Sequence, residues 1–356
     1  MSKVHIIIVW YDGAKYVDAL FASLARMDRT GLEAEIVCVD NKSNDDTLAQ
    51  LRARAPGLQG TTVITSDKNL GFAGGNNLAM RRALDAGAEY VYLLNQDTEV
   101  EPDFLVRAME GMTSAGPHGR AVGAVQSLLR LHPEKHLVNS AGNAIHFLGL
   151  GYSLGYRQPV ASVSRDTMPE ISYPSGAGVL LSVAALRVTG LFDDLFFMYH
   201  EDLDLGWRLR LAGYRCILAP RSVVYHKYEF SRSVRKLYYM ERNRGIVLLK
   251  DLRAWSLAVL AVPLAVAEVG LFVAALKGGW WREKLRAYAF FLKPASWTYV
   301  LRARRAVQKT RVVSDREIVR LFTPVIAFQD VTGPFTRYVA NPLMRLTWAV
   351  YRTFII

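Results

Sequence analysis

Cysteine is nearly absent from this sequence, with two in 356 residues, Cys38 and Cys216. Both sit in apolar, strand-like runs, which is poor material for a disulfide framework and suits a reducing compartment. No secretory signal is read at the start, because "MSKVHIIIVWYDG" enters a strand at once and its apolar run is short and soon interrupted. Also missing is the G-x-G-x-x-G turn that a dinucleotide-dependent dehydrogenase needs after its first strand; "WYDGAKY" holds a single glycine, Gly13. The sequence contains no internal repeat, no low-complexity tract and no recognised nucleic-acid-binding module. Acidic residues are scarce at one end only. Residues 236–356 hold 20 Lys and Arg against 7 Asp and Glu, whereas residues 1–235 hold 24 against 25, so the last third carries the whole of the +12 excess. The chain is 51% hydrophobic and long enough for a sizeable core. It is expected to have two parts, 1–235 and 236–356, the second facing an anionic partner.

The first part alternates strand and helix. "VHIIIVW" is a continuous apolar run of the kind covered on both faces. A helix over about 14–27 follows, then a strand "EIVCVD" ending in Asp40, and a helix to about Arg54 capped by Asp45 or Asp46. A third strand, "TTVITS", leads to "NLGFAGGNN", read as a glycine-rich turn before a helix over about 78–86. "YVYLLNQD" is the fourth strand, ending in Asp97, and Pro102 opens another helix. Such alternation predicts an α/β fold with a mostly parallel sheet, in which ligands sit beyond the carboxyl ends of the strands, where Asp40 and Asp97 fall.

The order "VDNKSNDDT", "NLGFAGGNN", "LLNQDTEV", "YPSGAGVLL" and "FFMYHEDLDLGWRLRLAGY" after the first strand resembles a family 2 glycosyltransferase of the GT-A fold, most closely the bacterial rhamnosyltransferase-like members. The similarity covers about residues 3–230 and extends weakly into the basic tail. It implies transfer of a sugar from a nucleotide-sugar, a dTDP- or UDP-sugar, to an acceptor hydroxyl with inversion at the anomeric carbon. A non-catalytic, membrane-bound nucleotide- or glycan-binding protein is the alternative.

By that resemblance Asp40 contacts the base, with Tyr11 and Asp12 beside it; Asp12 stands where the family often has Asn. Asn69, Gly71 and Asn77 match the family's glycine-loop pattern. Glycines allow close backbone approach, and the helix start behind them offers N–H groups to negative groups. Asn95, Gln96 and Asp97 fall at the family's D-x-D motif. There a divalent ion, Mn2+ or Mg2+, would act as a Lewis acid on the diphosphate; Asp97 is the natural ligand and Asn95 a weaker one. His226 follows the last strand at a spacing where related enzymes have a metal ligand, and mixed carboxylate and imidazole suit Mn2+ at least as well as Mg2+. Gly176 and Ala177 match the small-residue loop on the acceptor side.

Asp202 matches the aspartate of the family's ED motif and is assigned as general base, with Glu201 orienting acceptor or base. "DLDLGWRLRLAGY" reads as an amphipathic helix with Leu205, Leu209 and Ala212 on one face. The like charge of Glu201 raises the Asp202 pKa and the helix dipole lowers it. His200 packs, and Asp204 pairs with Arg208 on the helix surface. His118, His132, His136 and His146 lie in a weakly patterned stretch, about 114–170, read as acceptor-side loops.

The tail changes character. "SRSVRKLYYMERNRGIVLLKDLRAW" reads as a helix with basic and aromatic faces, and residues 255–276 hold one charge, Glu268, and one proline, Pro263. That segment is long enough to span a bilayer. Basic residues flank both of its ends, and 15 Lys and Arg follow in 277–356, a load that opposes export of the tail. The expectation is a peripheral or monotopic association with an anionic membrane at the cytoplasmic face. The expected acceptor is a glycan or a polyprenyl-linked glycan.

Overall fold

The computed structural model describes residues 1–114, 119–228, 235–327, 333–334 and 336–355. His118 and the "SRSV" start of the predicted tail helix lie outside them. The chain opens with β1 (Ser2–Trp10), α1 (Ala14–Leu24), β2 (Leu32–Asp40), α2 (Thr47–Arg54), β3 (Thr61–Thr65), α3 (Gly71–Asp85) and β4 (Tyr90–Asn95). Next come β5 (Thr98–Val100), α4 (Phe104–Met112), β6 (Val122–Leu131), β7 (Val138–Ser140), β8 (Asn143–His146) and β9 (Gly151–Ser153). β10 (Gly178–Ser182), α5 (Val183–Thr189), α6 (Glu201–Leu211) and β11 (Arg215–His226) complete the sheet region. The tail holds α7 (Arg235–Asp251), α8 (Ala254–Lys277), α9 (Trp281–Phe291), α10 (Pro294–Thr310), α11 (Asp315–Ile318), β12 (Phe322–Thr323) and α12 (Asn341–Tyr351).

Among the described residues the main sheet has nine strands in the order β3-β2-β1-β4-β10-β6-β11-β5, with β7 on β6. The predicted parallel register holds across β3, β2, β1 and β4. Beyond β4 the sheet is mixed, because β10 runs antiparallel to both β4 and β6. Ile6 and Ile8 enter one core and Ile7 the other, so β1 is covered on both faces, as its unbroken apolar run requires. Burying each such side chain contributes about 1.5–3 kcal/mol. Trp10 pairs with Asp40, and Val9 with Asn95, which brings the ends of β1, β2 and β4 to one level.

Two local expectations change. The glycine cluster does not precede its helix; α3 begins at Gly71 and incorporates all three glycines. Close packing is the reason. A Cβ on Gly75 would lie 2.7 Å from Val9 Cγ1, and Gly71 has φ +69° with Phe197 O 2.3 Å from where its Cβ would be. Nor is α6 an amphipathic surface helix. Ten of its eleven residues are buried, Asp204 and Arg208 included, because the tail covers its outer face. Leu203, Trp207 and Leu211 share a core with Ile246, Leu252, Leu260, Val300 and Trp348. β12 also pairs with β8. Composition changes near residue 235, but packing continues across it.

Candidate functional site

The turns beyond the strand ends are tied to one another. Gln96 accepts from Tyr11 N at 2.9 Å and its Nε2 donates to Tyr11 O at 3.1 Å, so the Asn95–Asp97 turn is laced to the end of β1. Asp12, exposed and with φ +46°, accepts from Asn44 N at 2.7 Å. Asp40 is nearly fully buried and accepts from Ser43 N at 3.4 Å. Asp46 occupies the N-cap of α2 without a side-chain bond, while Asp45 bonds Ala14 N and Thr47.

The start of α3 differs from the expected anion cradle. Leu70 N donates to Asn41 Oδ1, Gly71 N to Asn69 Oδ1 and Ala73 N to Phe197 O. These donors are engaged within the protein. Asn77 is fully buried, and its amide bonds Phe192 N, Phe192 O and Asp194 Oδ1. It anchors the loop before α6. The organiser of this corner is Asn41, buried, which bonds Asn69, Leu70 and Gly71. Its clue in the sequence was slight, a second polar residue following a buried strand end.

The remaining predicted residues meet around a cavity of about 570 Å³. Asn95, Asp97 and His226 form one part of its lining; Gly176, Ala177, Glu201 and Asp202 form another. β11 delivers His226 opposite Thr98, beside Asp97. His226 Nε2 lies 3.2 Å from Asp97 Oδ1, and its Nδ1 lies 3.0 Å from Asn139 Oδ1. With Nδ1 donating to Asn139, the Nε2 lone pair faces a carboxylate, and a shared proton or a metal cation reconciles the two. Asn95 Oδ1 is buried without a partner among the described residues. By donor type, a carboxylate, an imidazole and an amide oxygen in one part of the lining suit a divalent cation. No cluster of three or more His, Cys, Asp or Glu that could hold a metal exists among the described residues. Asn139 had no signal in the sequence, since only the fold brings it to His226.

Glu201 and Asp202 begin α6, after a turn in which Phe197, Tyr199 and His200 all have positive φ. Gly176 N donates to Asp202 Oδ2 at 3.2 Å and Leu203 N to Oδ1 at 2.7 Å. Burial nevertheless pushes the Asp202 carboxyl up to about 6, with those backbone donors opposing the rise. Glu201 is held well above the usual carboxylate range by burial and then by the charge of Asp202. Its Oε2 is buried without a partner among the described residues. At both acids burial outweighs the backbone N–H groups that pull the other way. His200 packs, its imidazole pushed down to about 4 by burial and then by Arg244. Tyr173, missed in the sequence, lines the cavity and is raised by burial and by Asp202 and Glu201. One cavity thus brings the Glu201 and Asp202 carboxyls together with the Asp97–His226 pair.

Comparison with known proteins identifies the family and the fold. The family model described as "Glycosyl transferase family 2" matches residues 5–138, and "Glycosyl transferase family group 2" matches residues 90–348. Among curated proteins, N-acetylglucosaminyl-diphospho-decaprenol L-rhamnosyltransferase of Mycobacterium tuberculosis is 26% identical over 239 residues, covering 62% of this chain and 75% of that one. The dTDP-rhamnosyl transferase RfbF of Shigella flexneri is 22% identical over 296 residues, 78% of this chain and 90% of that one. Among solved structures, GalNAc-T7 with UDP, GalNAc and Mn2+ superposes with TM-score 0.54 at 13% identity, over 70% of this chain and 48% of that chain.

Proposed function

This chain belongs to glycosyl transferase family 2 as a rhamnosyltransferase-like member of GT-A fold, and from that premise we propose that it moves rhamnose or a similar sugar from a dTDP- or UDP-sugar, with inversion, to a hydroxyl of a cell-surface or lipid-linked glycan. The observation that carries the reading is the common cavity of Asp97, His226 and Asp202. The names of two relatives support it, one naming a diphospho-decaprenol-linked acceptor and the other a dTDP-rhamnosyl activity.

Asp202 is the base. Raised to about 6, it is still mostly ionised at neutral pH and a stronger proton acceptor than an ordinary aspartate, suited to take the acceptor hydroxyl's proton as that oxygen attacks the anomeric carbon. Glu201, buried beside it, orients the acceptor. Gly176 and Ala177 leave room for that acceptor, and Asp40, Tyr11 and Asp12 flank the nucleoside end. Asp97 and His226, with Asn95 beside them, would hold Mn2+ or Mg2+, which when bound offsets the charge developing on the departing nucleoside diphosphate. The enzyme works at the cytoplasmic face of the membrane, where its nucleotide-sugar is made, with the tail peripheral or monotopic.

The test is a thermal-shift panel of dTDP-, UDP-, GDP- and CDP-sugars with and without Mn2+, since a ligand of the native state raises its apparent stability. A dTDP- or UDP-sugar should give the largest shift, and only with the metal. No shift from any of the four would overturn the donor reading.

A further inference from the structure

Phe197, Tyr199 and His200 have φ of 63°, 66° and 67°. Left-handed backbone is unfavourable for residues with a Cβ, and three such residues within four positions need outside support. The support comes from α7, in the tail. Asn243 is fully buried, and its Nδ2 lies 3.0 Å from Phe196 O, 3.1 Å from Met198 O and 2.8 Å from Tyr199 O. Its Oδ1 accepts from Arg242 Nε at 2.9 Å, and that guanidinium also reaches Leu195 O and Phe196 O. On the other side Ala73 N donates to Phe197 O at 3.1 Å. The turn so gripped runs directly into Glu201 and Asp202.

We propose that Asn243 is a positioning residue for the transfer reaction: with Arg242 it locks the left-handed turn 197–200 and so sets where Asp202 stands in the cavity. A helix outside the sheet thereby fixes the geometry of the base. The proposal rests on the reading of Asp202 as that base. It concerns Asp202 and not Tyr11, Asp12 and Asp40, which stand in the turn after β1 and at the end of β2.

The experiment compares Asn243→Ala, Asn243→Ser and Asp202→Asn in the full chain. Turnover is read as nucleoside diphosphate released from dTDP-rhamnose, or from the sugar nucleotide the panel selects, with water as acceptor. Binding of the same nucleoside diphosphate is read by calorimetry. Asn243→Ala should lower turnover about 10- to 100-fold, the scale of a small misplacement of a reacting group, with binding within about twofold of wild type. Asn243→Ser, which retains one donor, should recover part of the loss; if the alanine chain does not fold, the serine chain carries the test on the same two readings. Wild-type turnover in either folded variant overturns the proposal, as does a loss of binding equal to the loss of turnover. If Asp202→Asn alone keeps wild-type turnover, the base assignment fails. If Asp202→Asn is inactive while Asn243→Ala keeps wild-type turnover, only the positioning role fails.

Discussion

His226 Nε2 and Asp97 Oδ1 face each other across 3.2 Å, one at the end of β11 and the other in the turn after β4. Neither residue is near the other in sequence, and the antiparallel pairing of β11 with β5 is what joins them. Asn139 orients the imidazole from behind, as outer-shell groups orient metal-binding histidines.

If this pair holds the cation, Asp97→Ala and His226→Ala should each weaken Mn2+-dependent binding of dTDP or UDP, by about 10- to 100-fold for loss of a ligand or its support. Asn95→Asp should keep or strengthen binding by supplying a charged oxygen where the amide oxygen is buried without a partner among the described residues. Calorimetry with and without Mn2+ reads both; unchanged metal dependence in the two alanine variants would remove the site.

Asp202→Asn should lower turnover by at least ~10²-fold, the usual effect of removing a general base. Wild-type turnover should fall as pH drops below about 6, where the carboxylate becomes protonated. Stability has the opposite sign. Because the folded-state pKa is raised, the folded protein binds more protons between the ordinary aspartate value and about 6, so this group's contribution declines as pH rises through that window. Asp202→Asn should therefore stabilise the fold at pH 7.5, by roughly 1–3 kcal/mol, with no gain at pH 4. Melting temperatures at the two pH values decide it; an equal effect at both would contradict the raised carboxyl pKa.

The strand ends, and the acids placed on them, were readable because β-branched runs and turn residues report local structure directly. The ordered motifs identified the family. What escaped were contacts between distant segments: Asn41 with the Asn69–Gly71 corner, Asn139 with His226, and Asn243 with the turn before Glu201. A single buried asparagine has no pattern of its own. The glycines after β3 were misread for a related reason. Gly75 makes room for Val9 and Gly71 for Phe197, and neighbours so far away leave no trace in local spacing. Nor could the pattern "DLDLGWRLRL" reveal that tail helices would cover α6 on its outer side.

That cover contains charge. Lys250 Nζ on α7 lies 2.5 Å from Asp204 Oδ1 and 3.2 Å from Asp193 Oδ2, and Asp204 also accepts from Arg208 Nε at 2.8 Å. Burial alone would raise the Asp204 carboxyl, but Arg208 and Lys250 outweigh it and hold it below the usual range. Lys250→Met leaves a buried carboxylate short of one partner and should cost about 3–5 kcal/mol. The penalty should shrink in acid as Asp204 is protonated. Denaturant melts at pH 7 and pH 4 measure both effects, and a neutral substitution at pH 7 would show that the tail does not brace α6 through this pair.

The last prediction concerns how the tail meets the membrane. α8 has the length and apolarity of a span, with mean hydropathy 2.4 over its best window and 11% of that window buried. Its exposed residues Val262, Val266, Val269, Val273 and Leu276 recur at helical spacing along one face. The other face is in use: Leu260 and Ala275 are fully buried, and Glu268 pairs with Arg244 and Lys284 of the neighbouring helices. A spanning α8 would have to abandon that packing and carry Glu268 into the bilayer, which is costly. Lying in the interface keeps it. α12 and the turn after it add a matching stripe, with Leu343, Leu346, Val350 and Phe354 exposed, and Trp255 Nε1 donates to Phe354 O at 2.9 Å. Exposed Arg253, Lys277, Arg282, Arg345 and Arg352 flank these stripes, and each such cation adds about 1 kcal/mol near an anionic surface. Both ends of α8 should therefore stay cytoplasmic. Thr353→Cys, in a chain whose native cysteines are both buried, should be protected from a membrane-impermeant thiol reagent in intact cells and become reactive on lysis. Val266→Glu with Val269→Glu should reduce flotation with phosphatidylserine vesicles while leaving the melting temperature unchanged. Labelling of residue 353 from outside would establish a span and remove the interfacial reading.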